Sequence, residues 1–172
     1  MRSPVTTAVD TGHLTQLLSA ATRELFTSML ASDVTLALDQ SALPEQFDGI
    51  LSLIGLTGAM IGTGAVSCTA ETACDLASRF LMTDIDCVDD SVLDAMGEIT
   101  NMIIGGLKTQ LEAELGCLNM SIPTVIHGKN IRASSRQAEC SADLRFVYET
   151  GDFCIRISLA GSQEHSQRLR AW

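Results

Sequence analysis

The chain has 172 residues, a length typical of one domain with a substantial buried core. Its formal net charge of −10 disfavours nucleic acid as a partner, because an acidic protein repels a phosphate backbone. No stretch approaches the roughly 20 apolar residues of a membrane span, and the first residues lack the apolar core of a secretory signal. The sequence therefore predicts a soluble, cytoplasmic protein without nucleic-acid or membrane partners.

The predicted organisation is a polar leader over residues 1–12, a single domain over residues 13–160 and a polar tail over residues 161–172. Apolar periodicity, turn residues and caps predict these elements in the first half: a helix over 13–31, a strand over 34–38, a loop over 39–48, a hairpin of strands 50–56 and 59–68, and a helix over 70–82 capped by Thr69. Gly62 and Gly64 weaken the second hairpin strand and indicate a bulge or a helix packed tightly on the sheet.

An acidic link over residues 83–90 separates this half from the longest helix. It contains four aspartates, but it lacks the central glycine and terminal glutamate of a calcium-binding loop. A solvated loop with helix caps is the favoured interpretation. The six cysteines show no paired short spacing, which favours buried free thiols over a disulfide framework.

Residues 90–115 form the predicted central helix. At about 100° per residue, one side of it is apolar and carries Val92, Met96, Ile99, Ile103 and Leu107. The other side, the polar face, carries Asp94, Glu98, Asn101, Gly105, Lys108 and Glu112. The helix is predicted to end near Gly116, a residue type common after helix C-termini.

Three side chains of the polar face, Asp94, Glu98 and Asn101, follow one another at helical spacing and form an acid–amide patch. By spacing alone they could be an ordinary solvated surface, and Ser91 with Asp94 also matches a helix capping box. Gly105 and Gly106 lie in mid-helix, where glycine costs about 0.5–1 kcal/mol relative to alanine. Such a cost indicates close approach by either a packed helix or a partner protein.

The second half of the domain is predicted to be mainly strands: an extended segment over 117–122, a short strand over 124–126, a loop or irregular edge strand over 129–140, and a hairpin of strands 144–149 and 152–159. Hairpin connections favour antiparallel pairing. The predicted fold class is therefore α+β, a largely antiparallel sheet with long helices packed on one face.

The pattern Asp94-x3-Glu98-x2-Asn101, followed by SIPTVIHG from Ser121 to Gly128, resembles the signature of the CheC/CheX/FliY family of chemotaxis phosphatases. The single copy of the pattern is similar to the CheX branch. The resemblance implies a CheC/CheX-like fold and a phosphatase (a hydrolase) that acts on the aspartyl phosphate of a CheY-like response regulator in two-component signalling. It also implies a homodimer that pairs through its sheets.

The resemblance implies catalytic roles for Asn101, which would orient the attacking water, and for Glu98, which would pair with a lysine of the regulator. Asp94 and Gly105 would contact the regulator, and the Mg²⁺ required for hydrolysis would be bound by the regulator, with no cofactor in this chain. The alternative is a non-catalytic module of the same fold that binds a regulator or a flagellar-switch component.

Overall fold

The computed structural model describes residues 9–40, 46–134 and 138–162. The predicted leader and tail lie mostly outside these ranges. The helices and strands follow in this order: α1 (Thr11–Leu25), which continues as a π-helical turn (Phe26–Leu30), β1 (Val34–Leu36), β2 (Phe47–Gly58), β3 (Met60–Cys68), α2 (Ala70–Leu81), α3 (Asp90–Leu115), β4 (Leu118–Met120), β5 (Thr124–Ile131), β6 (Cys140–Tyr148) and β7 (Gly151–Gly161). None of the described helices is long and apolar enough to cross a bilayer.

The described strands form one seven-stranded sheet in the order β1-β6-β7-β3-β2, with β4 and β5 sharing the outer side of β2. Every pair among them is antiparallel. The two predicted hairpins are present as β2–β3 and β6–β7, and the second has Tyr148 paired with Gly151 across a two-residue turn. The predicted α+β fold class is therefore confirmed, with β4 and β5 at one edge and β1 at the other.

The helices pack on one face of the sheet because the strands alternate in burial. Ile54, Val66 and Ile157 are at most 1% exposed and face the helices. Thr63 and Asp143, whose side chains lie on the other face of the sheet, are exposed. Gly64 marks the closest approach of a helix to the sheet, since a Cβ atom there would lie 2.6 Å from Cδ1 of Ile104 in α3. The expectation that a glycine of this strand admits a packed helix is confirmed at Gly64.

The apolar side of α3 is the centre of the core. All five of its predicted apolar residues are at most 1% exposed; they are Val92, Met96, Ile99, Ile103 and Leu107. Full burial of each such side chain contributes about 1.5–3 kcal/mol, so this helix cannot rotate without a large loss of stability. The position of its polar face is fixed by the same packing.

Strand β5 differs from its prediction, because it runs to Ile131 rather than ending at residue 126. Its register against β2 shifts between Phe47 and Gly49, and Asn130 has a φ of 53°. The carboxylate of Asp48 accepts a hydrogen bond from the Asn130 backbone N–H at 2.8 Å, which holds the end of the strand. The segment is an irregular edge strand as far as Ile131, and residues 135–137 lie outside the described ranges.

All six cysteines are free. Four are buried, as predicted; they are Cys68, Cys74, Cys140 and Cys154. The prediction is wrong for Cys87 and Cys117, which are exposed because they lie in the links before and after α3. Burial, followed by nearby thiol and carboxylate charges, raises the pKa of Cys68 to about 12, so this thiol stays protonated and inert at neutral pH.

Helix α2 is tied to the β6–β7 hairpin through the carboxylate of Asp75. It accepts hydrogen bonds from the Tyr148 hydroxyl at 2.8 Å, the Thr150 hydroxyl at 2.7 Å and the Arg79 Nε at 3.0 Å. Partial burial raises the pKa of Asp75, but these hydrogen bonds together lower it more, so the net pKa lies below its usual value. The ionised carboxylate is therefore the form that stabilises the fold.

Replacing Tyr148 with phenylalanine is expected to lower the free energy of unfolding by about 1–2 kcal/mol at neutral pH, because a hydrogen bond to a charged carboxylate is lost. Since the folded-state pKa of Asp75 is depressed, its stabilisation is complete above the unfolded value of about 4 and is lost as the pH falls through the folded value. The difference between wild type and Tyr148→Phe, measured by urea unfolding, should shrink in acid. A difference that is independent of pH would contradict this assignment.

Candidate functional site

The acid–amide patch is held in place by the two ends of α3. At the N-terminus the Asp89 side chain accepts a hydrogen bond from the Val92 backbone N–H at 3.1 Å, and the Ser91 hydroxyl donates to the same carboxylate at 2.6 Å. The cap is therefore Asp89, and the capping-box interpretation of Ser91 with Asp94 is wrong because the helix starts one residue before Ser91. Asp94 has no role in the cap.

Near the C-terminus of α3, the Glu112 carboxylate joins the helix to β4 by hydrogen bonding. It accepts a hydrogen bond from the Leu118 backbone N–H at 2.9 Å and from Lys108 Nζ at 3.0 Å. The backbone hydrogen bond and then the lysine lower the pKa of Glu112. The last turn of the polar face, Lys108 and Glu112, is therefore structural, and Lys108 is already paired within it.

The upper half of the polar face has no such internal partners. Asp94 and Glu98 are exposed and Asn101 is half-buried. None of these three side chains makes a hydrogen bond or an ion pair with another described residue. The structure thus presents two carboxylates and one carboxamide, one turn apart along a rigid helix, with their hydrogen-bonding groups directed to no described part of the chain.

The sheet edge lies directly beside this patch. Leu56 of β2 pairs with Met120 and Leu53 pairs with Thr124, so two residues of β2 lie opposite the three residues 121–123. This extra residue is a β-bulge, and we name residues 121–123 the edge bulge. A Cβ atom on Gly97 would lie 3.4 Å from both Pro123 Cγ and Val125 Cγ2, so α3 packs against the end of the bulge at the residue before Glu98.

Gly105 and Gly106 have different neighbours. A Cβ atom on Gly106 would lie 3.1 Å from the Cβ of Ala21, so the close approach predicted there is the packing of α1 on α3. A Cβ atom on Gly105 would meet only Met120 Cε, at an ordinary 3.7 Å. Among the described residues, nothing in this chain requires a glycine at position 105, which is partly exposed and lies one turn after Asn101.

The remaining candidate groups lie elsewhere. His13 pairs with Glu114 at 2.8 Å, His127 is exposed on β5, and His165 lies outside the described residues. An open cleft between α2 and the acidic link is lined by Asp84 and Asp86, and none of its lining residues belongs to the acid–amide patch. Within the described ranges, no group of three or more His, Cys, Asp or Glu side chains has the arrangement of a metal site.

Comparison with known proteins places this site in a family. The model of the family described as chemotaxis phosphatase CheX matches residues 50–146, more than half of the chain. The chain belongs to the CheX family. The match includes β2 from Ile50 onward, β3, α2, the whole of α3, β4 and β5, and therefore the acid–amide patch and the edge bulge.

Relatives of the CheX family support this assignment and the fold. A Thermotoga maritima protein described as CheY-P phosphatase CheX is 30% identical over 111 residues, which are 64% of this chain and 71% of that protein. The crystal structure of chemotaxis protein CheX from Vibrio vulnificus has a TM-score of 0.73 at 21% identity, over 86% of this chain and 96% of that one. The crystal structure of the CheX-CheY-BeF3-Mg²⁺ complex from Borrelia burgdorferi contains a chain with a TM-score of 0.68 at 22% identity. The match covers 85% of this chain and 97% of that one. The predicted resemblance is confirmed.

Sequence reasoning missed one exposed residue beside the patch. Ile122, in the edge bulge, is 85% exposed, although it ends the extended segment predicted over 117–122. Pro123 and Val125, by contrast, pack against α3. The sequence carries no signal of this exposure, because an apolar residue in an extended segment normally indicates a buried position.

The two mid-helix glycines give a matched pair of stability predictions. Gly105→Ala is expected to raise the free energy of unfolding by about 0.5–1 kcal/mol, because alanine favours the helix and meets no contact closer than 3.7 Å. Gly106→Ala should be about 1 kcal/mol or more less stable than Gly105→Ala, because its methyl group would press on Ala21. Urea unfolding of both variants tests this, and equal stabilisation by the two would contradict the packing described for α1 and α3.

Proposed function

We propose that this chain is a phosphatase that removes the aspartyl phosphate of a CheY-like response regulator, with Asn101 orienting the attacking water and Glu98 docking the regulator. The observation that carries the proposal is an exposed carboxylate and a half-buried carboxamide, one turn apart on α3 and unpaired by described residues, in a chain of the CheX family. Chemotaxis is the pathway that the family and its relatives support.

The chemistry requires little covalent participation from the phosphatase. Hydrolysis of a phosphoryl group proceeds through in-line attack, and catalysis consists mostly of positioning and charge stabilisation. A carboxamide suits the positioning task, because its carbonyl oxygen can accept a hydrogen bond from the water while the group remains neutral beside an anion. Asn101 offers such a group on a helix whose opposite side is fully buried, so its position varies little.

Glu98 suits docking better than catalysis. A carboxylate near a phosphoryl group is repelled by it, whereas the same carboxylate can pair with a lysine of the regulator. Its exposure leaves it accessible to such a cation, and Lys108, further along the polar face, is held by Glu112. Complementary charge of this kind selects the partner and fixes its orientation more than it adds affinity.

Asp94 and Gly105 complete the proposed contact surface. Asp94 extends the acidic character of the patch by one turn toward the helix start. Gly105 extends it in the other direction, and because a Cβ atom there would meet only Met120 Cε, at an ordinary 3.7 Å, we attribute the glycine to close approach by the regulator. Gly105→Ala is therefore expected to weaken binding of the regulator while it stabilises the protein.

The proposed reaction needs no cofactor from this chain. The Mg²⁺ that neutralises the phosphoryl oxygens would be bound by the regulator as part of the substrate. The tasks left to this chain are recognition of the regulator, by Glu98, Asp94 and Gly105, and alignment of water, by Asn101.

We also propose that the protein is a homodimer formed through the sheet. Strand β5 supports this, because it lies at the sheet edge with one side unpaired by described strands, and Ile126 on it is 40% exposed. An exposed edge strand is a template for pairing with a second chain. Sedimentation velocity at micromolar concentration should give twice the monomer mass, and a monomer at that concentration would contradict the dimer.

The function is tested by the decay of a phosphorylated CheY-like regulator in Mg²⁺, alone and with this protein. Wild type should accelerate the decay, and Asn101→Ala should reduce the acceleration about 100-fold, because misplacement of a reactant by 1 Å can cost that much. Asn101→Ala should still bind a beryllofluoride-activated regulator. Glu98→Gln should mainly weaken binding, and Glu71→Gln on α2 is the control that removes the same charge from another exposed surface.

Two results would contradict the proposal. If wild type binds the activated regulator but leaves its decay unchanged, the protein is a docking module of the same fold and not a phosphatase for that partner. If Asn101→Ala retains full acceleration, water alignment is not the role of this residue.

A further inference from the structure

We propose that Met120 and Pro123 are positioning residues that confine the Asn101 side chain from two sides along α3. This inference rests on the function proposed above, because it concerns the group that aligns water there. Both residues act through Asn101, and neither is assigned a contact with the regulator or its phosphoryl group.

The first step of the argument is the pattern of residues around Asn101. Residues four apart in a helix form one ridge along its surface. The ridge through Asn101 carries Gly97 one turn before it and Gly105 one turn after it. Asn101 therefore stands alone on this part of the ridge, with a gap on each side where a glycine lacks a side chain.

The second step is that the sheet edge fills both gaps. A Cβ atom on Gly97 would lie 3.4 Å from Pro123 Cγ, and one on Gly105 would lie 3.7 Å from Met120 Cε. Met120 pairs with Leu56, which is 1% exposed and faces the helices, so the Met120 side chain is directed to the same side of the sheet. Pro123 and Met120 thus lie against α3 one turn before and one turn after Asn101.

The third step is that the lengths of the two segments match. Residues 97 and 105 are separated by about 12 Å along a helix, and residues 120 and 123 by about 10 Å along an extended chain. The segment from Met120 to Pro123 therefore runs antiparallel to α3 over this stretch. Asn101 lies midway between its two contacts with the helix.

The fourth step is that this segment is held firmly between the two contacts. The Ser121 backbone N–H donates to the Gly55 carbonyl oxygen at 2.9 Å, and the Ser121 hydroxyl accepts from the Gly55 N–H at 2.9 Å. The same hydroxyl donates to the Ile122 carbonyl oxygen at 2.9 Å. A side chain between supports of this kind keeps the geometry that catalysis requires.

The fifth step is the state of Asn101 itself. It is half-buried, although it makes no hydrogen bond with a described residue. Among the described residues, only the hydroxyls of Ser19 and Ser52 are buried without a partner, so the amide atoms of Asn101 remain open to solvent. Steric confinement therefore limits its rotamers where hydrogen bonds do not. Apolar walls suit this task, because they do not compete with water for the hydrogen bonds of the amide.

The first test separates rate from binding. Met120→Ala removes one wall, and Met60→Ala is the matched control, since Met60 on β3 is also partly buried and packs against the core. At saturating protein, Met120→Ala should accelerate decay of a phosphorylated CheY-like regulator about 10-fold less than wild type, because loosening a reactant costs less than the roughly 100-fold of a 1 Å displacement. Its dissociation constant for the beryllofluoride-activated regulator should equal that of wild type.

Two further variants complete this comparison. Met120→Leu should retain most of the acceleration, because leucine conserves the volume of the wall. Met60→Ala should match wild type in both rate and binding, which shows that loss of a partly buried methionine is not sufficient to slow the reaction.

The second test needs no regulator. The side-chain amide of Asn101, assigned by its loss in Asn101→Ala, is followed by ¹⁵N relaxation in the free protein, which reports motion on the picosecond-to-nanosecond timescale. In wild type it should be more ordered than the amide of Asn119, an exposed residue of β4. In Met120→Ala its order parameter should fall toward that of Asn119. Pro123→Ala removes the other wall and supplies the same measurement if Met120→Ala does not fold.

The proposal is overturned if Met120→Ala leaves the order parameter of the Asn101 amide unchanged. It is also overturned if this variant raises the dissociation constant at an unchanged saturated rate, because Met120 would then be a contact residue. Failure of the phosphatase function is distinguishable, since it would appear as unaccelerated decay with wild type itself. Relaxation in the free protein then decides alone whether Met120 and Pro123 confine Asn101.

Discussion

The structure depends on the burial of one side of α3 against the sheet. Because apolar residues from Val92 to Leu107 fill the core along four turns, the rotation of the helix about its axis is fixed. The opposite side must then face outward, and the groups that we propose as functional, Glu98 and Asn101, lie on that side. Rigidity of the site is therefore a consequence of core packing, and it does not require hydrogen bonds to the functional side chains themselves.

This arrangement also explains why the patch can remain unpaired. Carboxylates that are fixed by internal hydrogen bonds, such as Asp75 and Glu112, serve to join elements of the fold. Asp94 and Glu98 are not engaged with described residues and remain available to a partner. Asp75 and Glu112 therefore stabilise the fold, whereas Asp94 and Glu98 do not, although all four add to the acidic composition of the chain.

Much of the fold could be predicted from local sequence signals. The bounds of α3 were predicted correctly, because a long amphipathic pattern is followed by Gly116, and the hairpins followed from turn residues between apolar strands. The length of β5 was not predicted, since an irregular edge strand with polar residues lacks alternation. The capping box of Ser91 with Asp94, left open as an alternative, was not the cap that forms, because neighbouring residues with the same capping chemistry, here Asp89 and Ser91, give nearly identical patterns.

That the three side chains of the acid–amide patch lie together was predictable, but the surroundings of the patch were not. The spacing of Glu98 and Asn101 placed them together because helical geometry is local. The edge bulge is set by the pairing of β4 and β5 with β2, which joins residues far apart in sequence. For the same reason, the contact between Gly97 and Pro123, and the exposure of Ile122, became visible only in the folded chain.

In the proposed function, Asn101 aligns the attacking water at the regulator's phosphoryl group. The most direct test of this role is a crystal structure of this protein with a CheY-like regulator that carries beryllofluoride and Mg²⁺. We expect the Asn101 carboxamide to lie within hydrogen-bonding distance, about 3 Å, of a water or fluoride at the in-line position. A complex in which the regulator's phosphorylation site faces away from α3, or in which another side chain occupies that position, would contradict it.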